Sequence, residues 1–178
     1  MKAILQTLLI AAVILIQATT ANGQYTYQTA VRYNHWSTSV TPDSNVVLQP
    51  GIGTGCATIT TQPVWMLLGF CSSGNTNLYI SGYNSGINPA DFSVVIYGPF
   101  SDTLNLSSKL INANIDTCVN GYILSSGGGG TYINNFNYTK GDIYLILIMS
   151  TPNINYVYLN TSIPSSITET DTAYCRLC

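Results

Sequence analysis

The residues that could perform catalysis are few and scattered along this chain. His35 is the single histidine, and its neighbours Asn34 and Trp36 are neither acidic nor nucleophilic. A hydrolase needs a nucleophile, a base and a group that orients the base, and a glycosidase needs two carboxylates across a cleft. The seven acidic residues have no spacing that favours a particular pair. We therefore predict that the protein is not an enzyme and has no catalytic residue.

The five cysteines are the most reactive side chains of the sequence. They are Cys56, Cys71, Cys118, Cys175 and Cys178. In an oxidising compartment such thiols pair as disulfides, and an odd number leaves at least one thiol over. Cys175 and Cys178 form a C-x-x-C motif, but a redox motif opens a helix after a strand, and a four-cysteine zinc site would need a second such pair. Disulfides are favoured, and the spacing leaves their connectivity open.

The N-terminus has the three-part pattern of a secretory signal peptide. Lys2 supplies the charge, residues 3–16 form the apolar run, and residues 18–23 are small or polar. The apolar run is shorter than the ~20 residues that span a membrane. We predict cleavage after residue 21 or 23, an extracellular or cell-surface location, and a mature chain without a transmembrane segment.

The chain carries very little charge. Lys and Arg total 5 and Asp and Glu total 7, so that charged residues make up 7% of the sequence, against about 25% in typical domains. Nucleic-acid binding and polybasic membrane binding both require clustered Lys and Arg, and both classes are excluded. The polar surface must consist of neutral Asn, Ser and Thr, so that charge repulsion between copies is weak.

Most of the chain is typical of short strands. Runs rich in Tyr, Val, Ile and Thr alternate with Gly, Pro, Asn and Ser, and no segment keeps the 3.6-residue period of a helix. Strands are predicted at 26–33, 46–48, 57–60, 64–70, 77–82, 93–97, 121–124, 131–136, 143–149 and 156–160. About ten strands in one domain indicate an all-β fold, an antiparallel β-sandwich or jelly roll.

The predicted strands divide the chain into three parts. Residues 1–23 are the signal peptide, residues 24–54 an N-terminal extended segment with the first strands, and residues 55–178 the sandwich body with a cysteine-containing C-terminal tail. Residues 143–149 are apolar at every position, which predicts a central strand covered on both faces. The glycine-rich residues 125–130 are predicted to form a flexible loop.

Four segments carry a family resemblance. They are QPVWMLL at 62–68, DFSVVIYGPF at 91–100, DTC at 116–118 and KGDIYLILI at 140–148. In this order they resemble the motifs of a β-sandwich module of secreted, type IX-associated cell-surface proteins of Bacteroidota, related to pre-peptidase C-terminal and jelly-roll domains. The resemblance extends over residues 55–175. It implies an extracellular, non-enzymatic adhesive or structural module, and we expect it to stand alone here, without the usual sorting domain.

The resemblance also implies calcium in some members, at an acidic strand with two aspartates. Asp91 matches the first of them, whereas Ser93 takes the place of the second. Calcium needs several oxygen ligands, so that Asp91 is a weak calcium candidate. No other cofactor is predicted.

Aromatic residues and glycosylation sequons are further candidate contacts. Trp65 lies in an apolar run and is expected in the core, because tyrosine and tryptophan rings commonly pack sandwich strands. The candidates for contact with a glycan or a protein partner are Trp36, Tyr25, Tyr27 and Tyr33. The sequons Asn-x-Ser/Thr make Asn105, Asn137 and Asn160 glycosylation candidates in a host that modifies secreted proteins.

These observations predict a secreted structural or adhesive protein, the subunit of an extracellular filament or matrix. Residues 24–39 alternate in polarity, and pairing with a sheet edge of a neighbouring subunit would give a head-to-tail fibre. Pairing within their own chain is favoured, because sequential strands usually lie side by side. The alternative function is a carbohydrate-binding module. The predicted partners are further copies of the chain, or surface glycans and proteins.

Overall fold

Two β-sheets make up almost all of the regular structure. The computed structural model describes residues 27–32, 37–43, 45–70, 72–86, 88–124, 127–152 and 154–162. Its strands are β1 (Val31–Arg32), β2 (Ser37–Val40), β3 (Val64–Gly69), β4 (Gly74–Asn84), β5 (Ala90–Phe100), β6 (Ile115–Ile123), β7 (Gly127–Tyr138), β8 (Ile143–Ser150) and β9 (Ile154–Ser162). One α-helical turn, α1, spans Leu106–Lys109, with 3-10 turns at Tyr27–Thr29 and Asn112–Asn114. Among these described elements, no helix is long and apolar enough to cross a membrane.

The strand order is that of a jelly roll. The five-stranded sheet has the order β1-β3-β8-β5-β6 and the four-stranded sheet the order β2-β9-β4-β7. Eight strands pair antiparallel and form the two four-stranded layers of a double-sheet jelly roll, while β1 adds to β3 in parallel through two residue pairs. The predicted all-β antiparallel sandwich or jelly roll is confirmed.

The predicted count of about ten strands is too high, since the described residues contain nine. Residues 46–48 and 57–60 are not strands, apart from an isolated bridge between Val47 and Thr61. The described part of the predicted strand at 26–33 is a 3-10 turn and the two-residue β1, and β2 lies mostly within residues 24–39, the segment predicted to pair with a sheet edge. Residues 127–130, predicted as part of a loop, begin β7. In all these places the local composition matches the observed structure poorly because tertiary contacts decide the conformation.

The main core lies between the two sheets. Along β4 the burial alternates, so that Leu78 and Ile80 face inward and are fully buried. Their counterparts on the five-stranded sheet include Met66, Val94 and Ile146, which belong to the same cluster. Burial of such side chains contributes about 1.5–3 kcal/mol each, and this cluster fixes which face of the four-stranded sheet points outward.

A second core covers the outer face of the five-stranded sheet. Trp65, Tyr97 and Leu145 are buried there together with Leu110, which directly follows α1. The residues that lie over them belong to a connection without regular strands, residues 45–61, which we call the cover segment; its apolar contacts are Leu48, Ile52, Ala57 and Ile59. All eight residues of β8 are therefore buried, which confirms the predicted central strand, and Trp65 is a core residue as expected.

Polar contacts hold the cover segment in place. The Ser93 hydroxyl accepts hydrogen bonds from the backbone N–H groups of Thr58 and Ile59, at 3.2 and 3.1 Å, and donates to Asn120 Oδ1 at 2.6 Å. The Tyr97 hydroxyl donates to the carbonyl oxygen of Gly53, and burial raises the pKa of Tyr97. The segment is thus tied to β5 and β6 along its length.

Candidate functional site

The outer face of the four-stranded sheet carries a group of tyrosines. Because side chains alternate along a strand, Tyr79 and Tyr83 of β4 point away from the core that contains Leu78 and Ile80. Neighbouring strands add Tyr132 from β7 and two tyrosines from β9. We call the set of Tyr79, Tyr83, Tyr132, Tyr156 and Tyr158 the tyrosine face.

Two of these rings form a first stacked platform. Tyr79 and Tyr132 are directly opposite in the register of β4 and β7. Their ring centroids are 4.3 Å apart and their planes are inclined by 26°. Tyr132 is 61% exposed. Each ring therefore helps to hold the other in place, and the Tyr132 side chain remains largely open to solvent.

Three further rings form a second platform. Tyr83 is directly opposite Tyr156 in the register of β4 and β9, with centroids 5.3 Å apart and planes inclined by 14°. Tyr158 packs edge-on against Tyr156 at 4.8 Å. The neighbouring Tyr158 hydroxyl raises the pKa of Tyr156.

Small residues lie between and beside the two platforms. Ser81 is opposite both Gly130 of β7 and Tyr158 of β9, and Gly128 is opposite Tyr83. A Cβ atom on Gly130 would be 2.8 Å from the ring of Tyr79. Glycine at position 130 therefore leaves the space in which Tyr79 lies against Tyr132.

The whole four-stranded sheet is uncharged. None of the residues in β2, β4, β7 and β9, all of which are described, is Asp, Glu, Lys or Arg. The polar groups beside the tyrosines are amides and hydroxyls, such as Asn77, Ser81 and Asn160. Such a surface combines flat apolar rings with neutral hydrogen-bonding groups, which suits an uncharged ring-shaped ligand with many hydroxyls.

Comparison with known proteins gives structural neighbours only. No protein-family model and no curated protein matches the sequence. The fold is similar to the surface-associated copper-binding protein CorA of Methylomicrobium album BG8, with 9% identity and a TM-score of 0.44 over 75% of this chain and 97% of that one.

Two further neighbours are carbohydrate-binding modules. One is the CBM36-1 domain of a multidomain xylanase from the hindgut metagenome of Trinervitermes trinervoides, with 16% identity and a TM-score of 0.37 over 72% of this chain and 99% of that one. The other is Xyl-CBM35, solved with a glucuronic acid containing disaccharide, with 15% identity and a TM-score of 0.39 over 70% and 84%. Similarity at this level describes the architecture and carries no argument about a ligand.

Of the predicted aromatic contacts, Tyr27 lies among the described residues, and it does not belong to the tyrosine face. Tyr27 is half-buried, and its ring packs edge-on against Trp65 with the centroids 6.1 Å apart. It lies on the side of the five-stranded sheet, where it lines a cleft of about 440 Å³ together with Asn105 and Leu106. Tyr25, Tyr33, Trp36 and His35 lie outside the described residues.

The sequence carries a signal for the tyrosine face that composition alone did not reveal. Tyr79 and Tyr83 are four residues apart, and Tyr156 and Tyr158 are two residues apart. An even separation places both side chains on the same face of a strand. The strands that bring these pairs together are distant in the sequence. Only the observed register joins Tyr132 to Tyr79 and Tyr156 to Tyr83.

Two of the five cysteines form a disulfide. Cys56 of the cover segment is bonded to Cys118 of β6, with a Cα–Cα distance of 5.8 Å. Asn120 Nδ2 donates a hydrogen bond to the carbonyl oxygen of Cys56 at 3.1 Å. Cys71, Cys175 and Cys178 lie outside the described residues, so that their pairing stays open.

The three sequons lie in different surroundings. Asn105 is exposed directly before α1, and Asn137 is exposed in β7. Asn160 is half-buried in β9, opposite Tyr79 of the tyrosine face. Glycosylation at these residues stays a prediction.

The calcium candidate Asp91 lies at an exposed position, and calcium binding there stays a prediction. Asp91 is exposed in β5, and its carbonyl oxygen accepts a hydrogen bond from the Thr151 N–H at 3.0 Å. Ser93 stands at the position of the second aspartate in the family motif, and its hydroxyl accepts hydrogen bonds from the backbone of the cover segment. Among the residues that the structure describes, no three His, Cys, Asp or Glu side chains lie close enough together to hold a metal ion.

Proposed function

We propose that this protein is a non-catalytic carbohydrate-binding protein that holds glycans on its tyrosine face. The observation that carries the proposal is the stacking of five tyrosines on the outer face of an uncharged sheet. A tyrosine ring offers an apolar face and a polar hydroxyl, which matches a sugar ring with its C–H faces and its hydroxyl rim. Exposed aromatic patches of this kind mark binding sites in soluble proteins.

The difference between the two outer faces supports the same function. Much of the outer face of the five-stranded sheet is covered by the cover segment and α1, although Tyr122 of β6 is exposed. On the four-stranded sheet, by contrast, Tyr132 and Tyr83 are 61% and 38% exposed. Since each ring is already fixed by a neighbouring ring, little side-chain entropy is lost when a ligand stacks on it.

A tyrosine replacement tests the proposal. We expect Tyr132→Ala to weaken the retention of a bound polysaccharide about tenfold, since a stacked ring contributes about 1.4 kcal/mol. The matched control is Tyr122→Ala, because Tyr122 is also 61% exposed but lies in β6 of the five-stranded sheet. Affinity electrophoresis in gels that contain cellulose derivatives, xylan, β-1,3-glucan or starch provides the measurement. Equal losses in both variants, or no retardation of the wild-type protein in any gel, would contradict the proposal.

Assembly into a filament is a second candidate, and the positions of the first two strands favour it. β1 and β2 lie at the edges of the two sheets, where β1 contributes two residue pairs and β2 four. The same pairs could form with the sheets of a neighbouring copy. Secretion and kinship with the Bacteroidota module stay predictions that would suit this function.

A cysteine pair distinguishes exchange of β2 from pairing within the chain. Ser39 and Tyr158 are opposite in the register of β2 and β9. In a Ser39→Cys/Tyr158→Cys variant, exchange would give covalent multimers in a non-reducing gel, whereas pairing within the chain gives a cross-linked monomer. If filaments form by exchange, deletion of residues 24–39 abolishes them. A cross-linked monomer in a preparation that still contains filaments would rule out exchange of β2.

A further inference from the structure

The tyrosine face has a stacked pair of rings at each end, and Tyr158 of the second platform lies opposite Ser81, between the ends. Both platforms include a residue of β4, Tyr79 in the first and Tyr83 in the second. At about 3.3 Å per residue, the two positions are about 13 Å apart along the strand. The first platform lies between β4 and β7 and the second between β4 and β9, so that they are also offset sideways by about 5 Å.

The residues between Tyr79 and Tyr83 on β4, and beside them on β7, have small side chains or none. Ser81 separates Tyr79 from Tyr83 on β4, and its neighbour on β7 is Gly130. Beside Tyr83, Gly128 has no side chain, and a Cβ atom there would meet only the Gly82 carbonyl oxygen, at 3.7 Å. The rings of Tyr79 and Tyr83 at the two ends, with Ser81 and Gly130 between them and Tyr158 on the β9 side, form a track across the sheet.

We propose that this track binds an uncharged linear oligosaccharide that contacts both platforms at the same time. The inference rests on the proposed function and specifies its ligand. A single sugar ring is about as wide as one tyrosine ring, and it cannot contact both Tyr79 and Tyr83, whose positions are about 13 Å apart. A chain of several sugar rings that runs obliquely along β4 reaches both.

The absence of charge in the four strands determines the chemical class of the chain. A uronic acid or a sulfated sugar would lose part of its hydration on this surface without gaining a cationic partner from β2, β4, β7 or β9. Neutral hydroxyls lose less, because Ser81 and Asn160 beside the rings can replace water as hydrogen-bonding partners. Binding is therefore expected to be insensitive to salt, because no ion pair is screened.

The two-platform arrangement has a specific thermodynamic signature. Once one part of the chain is stacked on the first platform, contact with the second becomes intramolecular and benefits from a high effective concentration. The affinity should therefore rise in one step, at the length at which the chain first reaches both platforms. A site with a single platform would bind short and long chains about equally.

Calorimetric titration with oligosaccharides of increasing length tests the inference. The probes are cello-, xylo- and malto-oligosaccharides of one to six sugar units, with oligogalacturonic acid as the charged counterpart. For the series that binds, we expect an increase in affinity of about tenfold or more between a member that reaches one platform and one that reaches both. The acidic chain should not bind, and added sodium chloride should leave the affinity for the neutral chain unchanged.

Three variants separate the possible outcomes. Tyr132→Ala and Tyr83→Ala should each reduce the affinity for the hexasaccharide to that of a short chain, and Tyr122→Ala should leave it unchanged. Equal affinity for short and long chains, or a loss in only one of the first two variants, would overturn the two-platform ligand while leaving glycan binding intact. Binding of no series at all would instead overturn the proposed function.

Discussion

Replacement of Cys56 and Cys118 by alanine is expected to lower the free energy of unfolding by about 4 kcal/mol. The disulfide joins residues that are 62 positions apart, and closure of a loop of that length removes a corresponding amount of entropy from the unfolded chain. It also anchors the cover segment, whose Leu48, Ile52 and Ile59 lie over the second core. Urea unfolding of the wild type and the double variant gives the difference.

Reduction of the wild-type protein provides the control for this prediction. The wild type and the double variant should unfold at the same urea concentration when both are reduced, since both then lack the same covalent link. The tyrosine face lies on the other sheet, so that folded samples of the variant should retain glycans like the wild type. A wild-type protein whose unfolding midpoint does not respond to reductant would show that the bond between Cys56 and Cys118 contributes nothing.

Replacement of Gly130 by alanine is expected to destabilise the protein by about 3 kcal/mol and to weaken glycan binding about tenfold. The new Cβ atom would be too close to the backbone carbonyl oxygen of Ile80 and 2.8 Å from the ring of Tyr79. The backbone of β4 is fixed between β7 and β9, and overpacking of such a site typically costs 1–3 kcal/mol, here about the upper value. The displaced Tyr79 ring would also leave its stacked position against Tyr132.

Gly128 is the matched control on the same face of the same strand. Alanine at position 128 meets only one backbone oxygen, at 3.7 Å, and neither Gly128 nor Gly130 has a positive φ. Gly128→Ala should therefore be neutral or stabilise the protein by up to about 1 kcal/mol. Thermal unfolding and affinity electrophoresis of both variants give the comparison. Similar behaviour of the two would mean that Gly130 does not make room for Tyr79.

The parts of the fold that the sequence predicts well are those in which burial determines the composition. Residues 143–149 are apolar throughout because β8 lies between β3 and β5 and has a core on each face. Trp65 belongs to a similar strand, and its position in the core follows from the same pattern. The jelly roll itself follows from the number and spacing of such runs.

The cover segment could not be predicted from local pattern. Residues 46–48 and 57–60 have the composition of strands, but their apolar side chains pack onto the outer face of the five-stranded sheet instead of joining its edge. The glycines of 127–130 have the composition of a loop, but they allow the close approach of Tyr79 and of the backbone of β6. In both cases the conformation of a short segment is determined by its packing against residues that are distant in the sequence.

The candidate site was predicted less well from the sequence than the fold was. The prediction concentrated on aromatic residues near the N-terminus, of which Tyr27 packs against the core residue Trp65. The tyrosine face depends on the register between β4, β7 and β9, which are widely separated along the chain. Likewise, spacing alone could not select Cys56 and Cys118 from five cysteines.

β8 and β9, the last strands among the described residues, each occupy an interior position in one of the two sheets, and this has a consequence for the way the protein acquires its structure. β8 lies between β3 and β5, and β9 lies between β2 and β4. Before residues 143–162 have been synthesised, each sheet lacks an interior strand. The strands on either side of it then lack their pairing partner. Topologies dominated by such non-local pairing have a high contact order and fold slowly. Both sheets are therefore expected to be completed only when residues 143–162 are available to pair.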